Sequence, residues 1–153
     1  MSQTVSAAVI LMAGTGSRLR PDGVTLPKPL FPLLGRPLIS YIFETLARVG
    51  LTTVHAVVGY ESEILIREIP AFVPPGLKLH FVHNPEWNKQ NGGSVLAASP
   101  SVRAPFLLTM SDHLFDDSVI QTLIDLARPD DVNLAIDRKI GSVFDLDDAM
   151  KVQ

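Results

Sequence analysis

Val5-Ser6-Ala7-Ala8-Val9-Ile10-Leu11-Met12-Ala13-Gly14-Thr15-Gly16-Ser17-Arg18 runs from an apolar stretch straight into a glycine loop that ends on a guanidinium. Residues 5–11 lack the alternation of a half-solvated strand and read as a strand buried on both faces, the kind found in parallel sheets. Glycines directly after such a strand let successive backbone N–H groups approach a phosphate without side-chain obstruction. Arg18 adds a donor fork that matches phosphate oxygens. The loop is not a dinucleotide fingerprint, because the third glycine position holds Leu19, and it lacks the Gly-Lys-Ser/Thr of a Walker-type loop.

The rest of the chain reads outward from this strand. Residues 13–36 form a long irregular, proline-rich stretch, and such loops in compact domains are usually functional or disordered. Residues 37–49 predict a helix, with Pro37 in its first turn, Ile39, Ile42, Phe43 and Leu46 on one face, and Gly50 as its stop. Further strands are expected at 53–58, 77–82 (nearer an edge), 106–110 and 132–136, and helices at 62–69, 93–99 and 118–127. Asp116 or Asp117 is available to cap the last helix. Alternating strands and helices imply an α/β fold, a Rossmann-like three-layer α/β/α arrangement around a mainly parallel sheet. The expected strand order is 3-2-1-4-5. In that order the chain reverses direction between strands one and four, and ligands bind in the crevice at the carboxyl ends of such strands.

Composition narrows the classes. The 153 residues, 46% hydrophobic and 19% charged, suit one globular domain with one core. There is no cysteine, which excludes disulfides, thiolate zinc sites and a cysteine nucleophile. No apolar run reaches membrane-spanning length and no basic stretch precedes the first apolar run, so a cytoplasmic protein without membrane insertion is expected. Net charge is −3, yet residues 1–36 hold four basic side chains and one acid. A local positive loop on an acidic chain suits a small anionic ligand better than nucleic acid, which needs a broad basic face.

Two further motifs fall at the same crevice. Lys28, in Pro27-Lys28-Pro29-Leu30, is presented from a backbone stiffened by prolines on both sides, whereas Arg20 and Arg36 read as surface or structural charges. Asp112, in Thr109-Met110-Ser111-Asp112-His113, stands at the end of a central strand, where a carboxylate can hold Mg²⁺ beside a phosphate. The alternative for Asp112 is a cap or a loop salt bridge. His113, like His55, His80 and His83, has no identifiable chemical partner and reads as packed or solvated. Asn88-Lys89-Gln90-Asn91-Gly92-Gly93-Ser94 joins strand three to a helix; its amides can read a base edge, or it is an ordinary turn.

Taken together, the Leu-x-Ala-Gly-x-Gly-x-Arg-Leu segment, the Lys-Pro-Leu that follows and the later Asp-His resemble the nucleotidyltransferases that make nucleoside-diphosphate sugars and alcohols. Asn-Gly-Gly-Ser-Val-Leu-Ala-Ala, Leu-Leu-Thr-Met-Ser-Asp-His, Asp137-Arg138-Lys139 and Val143-Phe144-Asp145-Leu146-Asp147-Asp148-Ala149 extend the likeness, most of all to the cytidylyltransferases acting on inositol 1-phosphate. The resemblance implies that Met12, Ala13, Gly14, Thr15, Gly16 and Ser17, with Asn91 and Gly92 near the base, bind the nucleotide. It implies catalytic roles for Arg18 and Lys28, and Mg²⁺ on Asp112. The implied partners are CTP or another NTP and a small phosphorylated alcohol or sugar; the implied reaction is cytidylyl transfer with release of pyrophosphate. Met12 stands where the family has a small residue, and Ser111 where Gly is usual.

The resemblance covers the nucleotide-binding front of the family domain, so residues 1–153 are expected to lack the acceptor-binding part and a second acidic ligand. The last sheet edge is then expected to be covered by self-association, giving a homo-oligomer, or by a disordered tail. Two other readings remain open: a sugar-1-phosphate nucleotidyltransferase using another NTP, and a non-catalytic nucleotide-binding or assembly module.

Overall fold

The computed structural model describes residues 5–16, 26–128, 130–136 and 138. Ser17, Arg18, Arg20, Asp137 and the motif at 143–149 lie outside the described residues. Among the described residues six strands and four α-helices follow one another: β1 (Ala7–Leu11), β2 (Pro32–Leu33), β3 (Arg36–Pro37), α1 (Leu38–Arg48), β4 (Thr53–Val58), α2 (Ser62–Glu68), β5 (Lys78–His83), α3 (Asn91–Ala98), β6 (Leu107–Met110) and α4 (Asp117–Leu126). Four of the strands form one parallel sheet in the order β5-β4-β1-β6, with Val9 beside His55 on one side and Leu108 on the other. This is the α/β fold around a mainly parallel sheet expected from the sequence, and its order matches the first four strands of the expected 3-2-1-4-5.

The sheet separates two apolar layers. On one face Ala8, Ile10, Val54, Ala56 and Val58 meet Ile39, Ile42, Phe43 and Leu46 of α1, Leu65 of α2 and Ile120 of α4. On the other, Val9, Leu11 and Val57 meet Ala98 of α3. Because β1 lies between β4 and β6 and is covered above and below, Ala8, Val9 and Ile10 are all fully buried, as their unbroken apolar run requires. Phe43, Ile39 and Leu46 lie on one face of α1 by the helical repeat and are equally inaccessible; each such side chain contributes about 1.5–3 kcal/mol by burial.

Two expectations need correction, and two others hold with a refinement. Residues 132–136 form no strand: Val132 is 100% exposed and Leu134 61%, and the segment runs beside α4 with no ladder partner. An apolar run becomes a strand only when a neighbouring backbone takes its N–H and C=O groups, and none is in place. The stretch at 13–36 is not irregular throughout; Lys28–Leu30 form a 3-10 turn, and β2 pairs antiparallel with β3 across a tight turn at Leu34 and Gly35. Pro37 closes β3 and stands at the N-cap of α1, one residue before the first turn in which it was expected. Asp116 occupies the cap position of α4 without a side-chain capping hydrogen bond, and Asp117 turns to Arg48.

Candidate active site

The carboxyl ends of β1, β4 and β6 are tied together by backbone. Met12 N donates to Val57 O at 3.0 Å, Tyr60 N to Ala13 O at 3.0 Å, and Ser111 N to Leu11 O at 3.1 Å. The start of the glycine loop is thus held from both sides, and Met12 and Ala13 are buried while Gly14 is exposed. Asp112 follows β6 directly, so sheet topology alone delivers its carboxylate to the mouth of this loop.

Lys28 reaches the same point from the other direction. Its 3-10 turn is fixed by Leu30 N donating to Pro27 O at 2.9 Å and by the burial of Pro29 and Leu30. From there Lys28 Nζ donates to Asp112 Oδ2 across 84 positions of sequence. The pair is only partly shielded, with side chains 22% and 26% exposed. Burial pushes the Asp112 carboxyl up, but the hydrogen bond and charge of Lys28, with a smaller contribution from His113, outweigh it and hold the group below the ordinary carboxylate range. Asp112 is ionised at neutral pH.

Gly16 explains how the lysine comes so close to the loop. Its φ is +63°, and a Cβ there would stand 2.8 Å from Lys28 Cβ. Only glycine satisfies both the left-handed backbone and the close approach. The loop and the lysine stem are therefore one packed unit.

The remaining predicted residues fall around this centre. Thr15 is half-buried in the loop. Asn91 and Gly92 open α3 and are exposed, with open space where a Gly92 Cβ would stand. The preceding loop is anchored by Asn84 Nδ2 donating to Ser94 Oγ at 3.0 Å and by Glu86 N donating to Asn84 Oδ1 at 2.9 Å. His113 is largely exposed, its Nε2 3.9 Å from Asp112 Oδ1. Arg36 leaves the site altogether; it pairs with Glu44 and lies over the Tyr41 ring at 4.8 Å, the structural role its lack of motif context suggested.

Asp112 also supplies the observation that bears on a metal. Its Oδ1 is buried and accepts no hydrogen bond, while Oδ2 is held by Lys28. A lone carboxylate oxygen beside a glycine loop fits Mg²⁺, which takes one or two carboxylates and completes its shell with other oxygens and water. No group of three or more metal-ligating side chains exists among the described residues, so a site held by protein side chains alone is not present there.

Sequence reasoning missed Gly59, Tyr60 and Trp87. Gly59 ends β4 beside Ala13, and the Tyr60 and Trp87 rings lie 5.1 Å apart at 57°. The available signal was position: a Gly-Tyr pair directly after a buried central strand lies at the same sheet end as the glycine loop.

Comparison with known proteins identifies the family and the fold. The family described as MobA-like NTP transferase domain matches residues 8–142. The CMP-5'-(3-aminopropyl)phosphonate synthase of Streptomyces rubellomurinus is 37% identical over 117 residues, covering 76% of this chain and 18% of that protein. The bifunctional IPC transferase and DIPP synthase of Aquifex aeolicus is 28% identical over 150 residues, covering 97% of this chain and 33% of that protein. The inositol-1-phosphate CTP transferase from T. maritima superposes with a TM-score of 0.72 at 23% identity, over 84% of this chain and 52% of that one. The chain thus spans between about a fifth and a half of the length of these proteins. Among the described residues no helix is long and apolar enough to cross a membrane.

Proposed function

The chain belongs to the MobA-like NTP transferase domain family, and from that premise we propose that it forms one nucleotide-binding domain for cytidylyl transfer from CTP to a small phosphorylated or phosphonylated alcohol. The observation that carries this reading is the Lys28–Asp112 pair at the mouth of the glycine loop. An ammonium and an ionised carboxylate placed beside backbone amides are the parts that phosphoryl-type transfer needs. The choice of cytidine rests on Ala13 and the Asn91-Gly92 segment, and on the CMP and CTP in the names of two similar proteins.

In the proposed reaction an oxygen of the acceptor's phosphate or phosphonate attacks the α-phosphorus of CTP. A P–O bond forms there as the bond to the bridging oxygen of the β-phosphate breaks, and pyrophosphate leaves with that electron pair. Residues 13–17 and Arg18 hold the triphosphate tail, while Asn91 and Gly92 border the base. Lys28 exchanges Asp112 for the α-phosphate, whose charge it neutralises as the attack proceeds. Asp112 would hold Mg²⁺, which when bound supplies charge neutralisation and a template for the phosphate oxygens. Positioning and electrostatics carry the rate, with no covalent intermediate on the protein.

Calorimetric titration of the chain with CTP in Mg²⁺, with UTP and GTP alongside, tests the proposal. Selective CTP binding is expected. Stronger binding of UTP or GTP would replace cytidine by that base, and no binding of any NTP would overturn the reading.

A further inference from the structure

Gly59 occupies a place that no other residue can fill without moving something. A Cβ built on it would lie 2.3 Å from Trp87 Cβ, 2.8 Å from Trp87 Cγ and 3.1 Å from Ala13 Cβ. The first of these atoms is decisive. A Cβ is fixed by its own backbone, so no rotamer change of Trp87 removes the clash; the segment that carries it has to shift.

That segment leads from β5 into α3. It is tethered at its start by Asn84 N donating to Val58 O at 2.8 Å and by the buried Asn84–Ser94 hydrogen bond. On the other side of Gly59 stands the glycine loop, held by Tyr60 N donating to Ala13 O. Trp87 packs against the layer formed by Val9, Leu11, Ala13, Val57 and Ala98, and its ring meets Tyr60. One bare Cα therefore separates the two segments assigned to the triphosphate and the base.

We infer that Gly59 is a positioning residue for the nucleotide site: by seating Trp87 against its backbone it sets the spacing between the glycine loop and the segment that opens α3. This rests on the nucleotide reading above and names the element that relates its two halves. A nucleoside triphosphate bridges those halves as one covalently linked ligand, so a displacement of either misaligns the other and lowers affinity without touching a contact residue.

The chain holds a single tryptophan, so its emission reports on Trp87 alone. The test compares wild type with Gly59→Ala, Trp87→Gly and the double variant by tryptophan emission, hydrogen exchange and calorimetric CTP titration. In Gly59→Ala we expect a shifted Trp87 emission and faster exchange in both 12–16 and 84–91. Protection of β1 and β4 is retained, and CTP affinity falls by about tenfold or more. On the Trp87→Gly background, where the clashing Cβ is gone, adding Gly59→Ala changes affinity by no more than about twofold. Unchanged emission, exchange and affinity in Gly59→Ala would overturn the inference, as would an undiminished effect on the Trp87→Gly background. If Gly59→Ala does not fold, Trp87→Gly alone decides: faster exchange at 12–16 supports the coupling and unchanged exchange refutes it. Absence of NTP binding by the wild type is a separate result. It removes the nucleotide reading, while exchange still confirms or refutes the link between the two segments.

Discussion

The guanidinium of Arg48 donates to both carboxylate oxygens of Asp117, at 2.7 Å and 2.9 Å, and so fastens α1 to α4 across the same face of the sheet. The hydrogen bond from Arg48 holds the Asp117 carboxyl below its ordinary value, with the Arg48 charge and Thr45 reinforcing it against slight desolvation. A carboxyl lowered on folding stabilises the native state above its unfolded pKa and loses that contribution as pH falls through the folded value. Asp117→Asn is therefore expected to lower Tm slightly near neutral pH. The gap to wild type closes as pH drops below the ordinary carboxylate range near 4. Thermal melts of both proteins between neutral and acidic pH check this, and a gap that persists in acid would deny the pair its role. The pair is exposed, so the effect is small and weakens in salt.

His55 titrates in the opposite charge sense but the same pH direction. It is buried in β4, its Nδ1 has no hydrogen-bond partner, and its ring stacks on His80 at 5.3 Å. Burial lowers its pKa, and the neighbouring His80 lowers it further. The folded state thus favours the neutral ring, and this contribution is intact above the unfolded value near 6.5 and lost below it. His55→Leu should flatten the loss of Tm between about pH 7 and pH 5. A wild-type slope retained in the variant would assign the sensitivity to another group.

Gly16→Ala is expected to damage both stability and the site. The left-handed backbone alone costs about 1–2 kcal/mol, and the added Cβ displaces the Lys28 stem. Urea unfolding with a Lys28→Gly variant as reference, which removes the clashing Cβ, separates the two effects. If Gly16→Ala costs equally on the Lys28→Gly background, the contact between them is irrelevant.

Lys28→Ala should leave the fold intact, because the lysine is part-exposed and anchors no core residue. It should weaken CTP binding by about 10- to 100-fold, the range for losing a hydrogen bond to a charged group. Asp112→Asn is expected to blunt the dependence of CTP affinity on Mg²⁺. An identical Mg²⁺ titration in that variant would make Asp112 a loop residue.

The sheet was legible because its inner strands carry their own signature. Residues 53–58 have one end at a polar turn and the other at a glycine, and the strand occupies those limits unchanged. The convergence of the glycine loop and Asp112 was legible from topology alone, since strands one and four had to end side by side, whereas Lys28 was placed by its motif. What the sequence hid was pairing that depends on a distant or minimal partner. β2 and β3 contribute two residues each, and both pair through a proline, which weakens any strand signal. Residues 132–136 look like a strand by composition, but composition does not supply the neighbour that makes one. Gly59 was invisible because its importance lies in the Trp87 side chain that comes to rest on it from 28 positions later.

The central position of β1 also governs when the site comes into being. The partners of β1 are β4, beginning at Thr53, and β6, beginning at Leu107. Parallel pairing at such separations requires large loops to close before any contact rewards them, which makes these steps slow. A nascent chain therefore carries β1 without its β6 partner, and the glycine loop without Asp112, until about a hundred residues more have been added. Lys28 and Asp112 meet only after that closure, so no partly synthesised or partly folded chain possesses a weakened version of the centre.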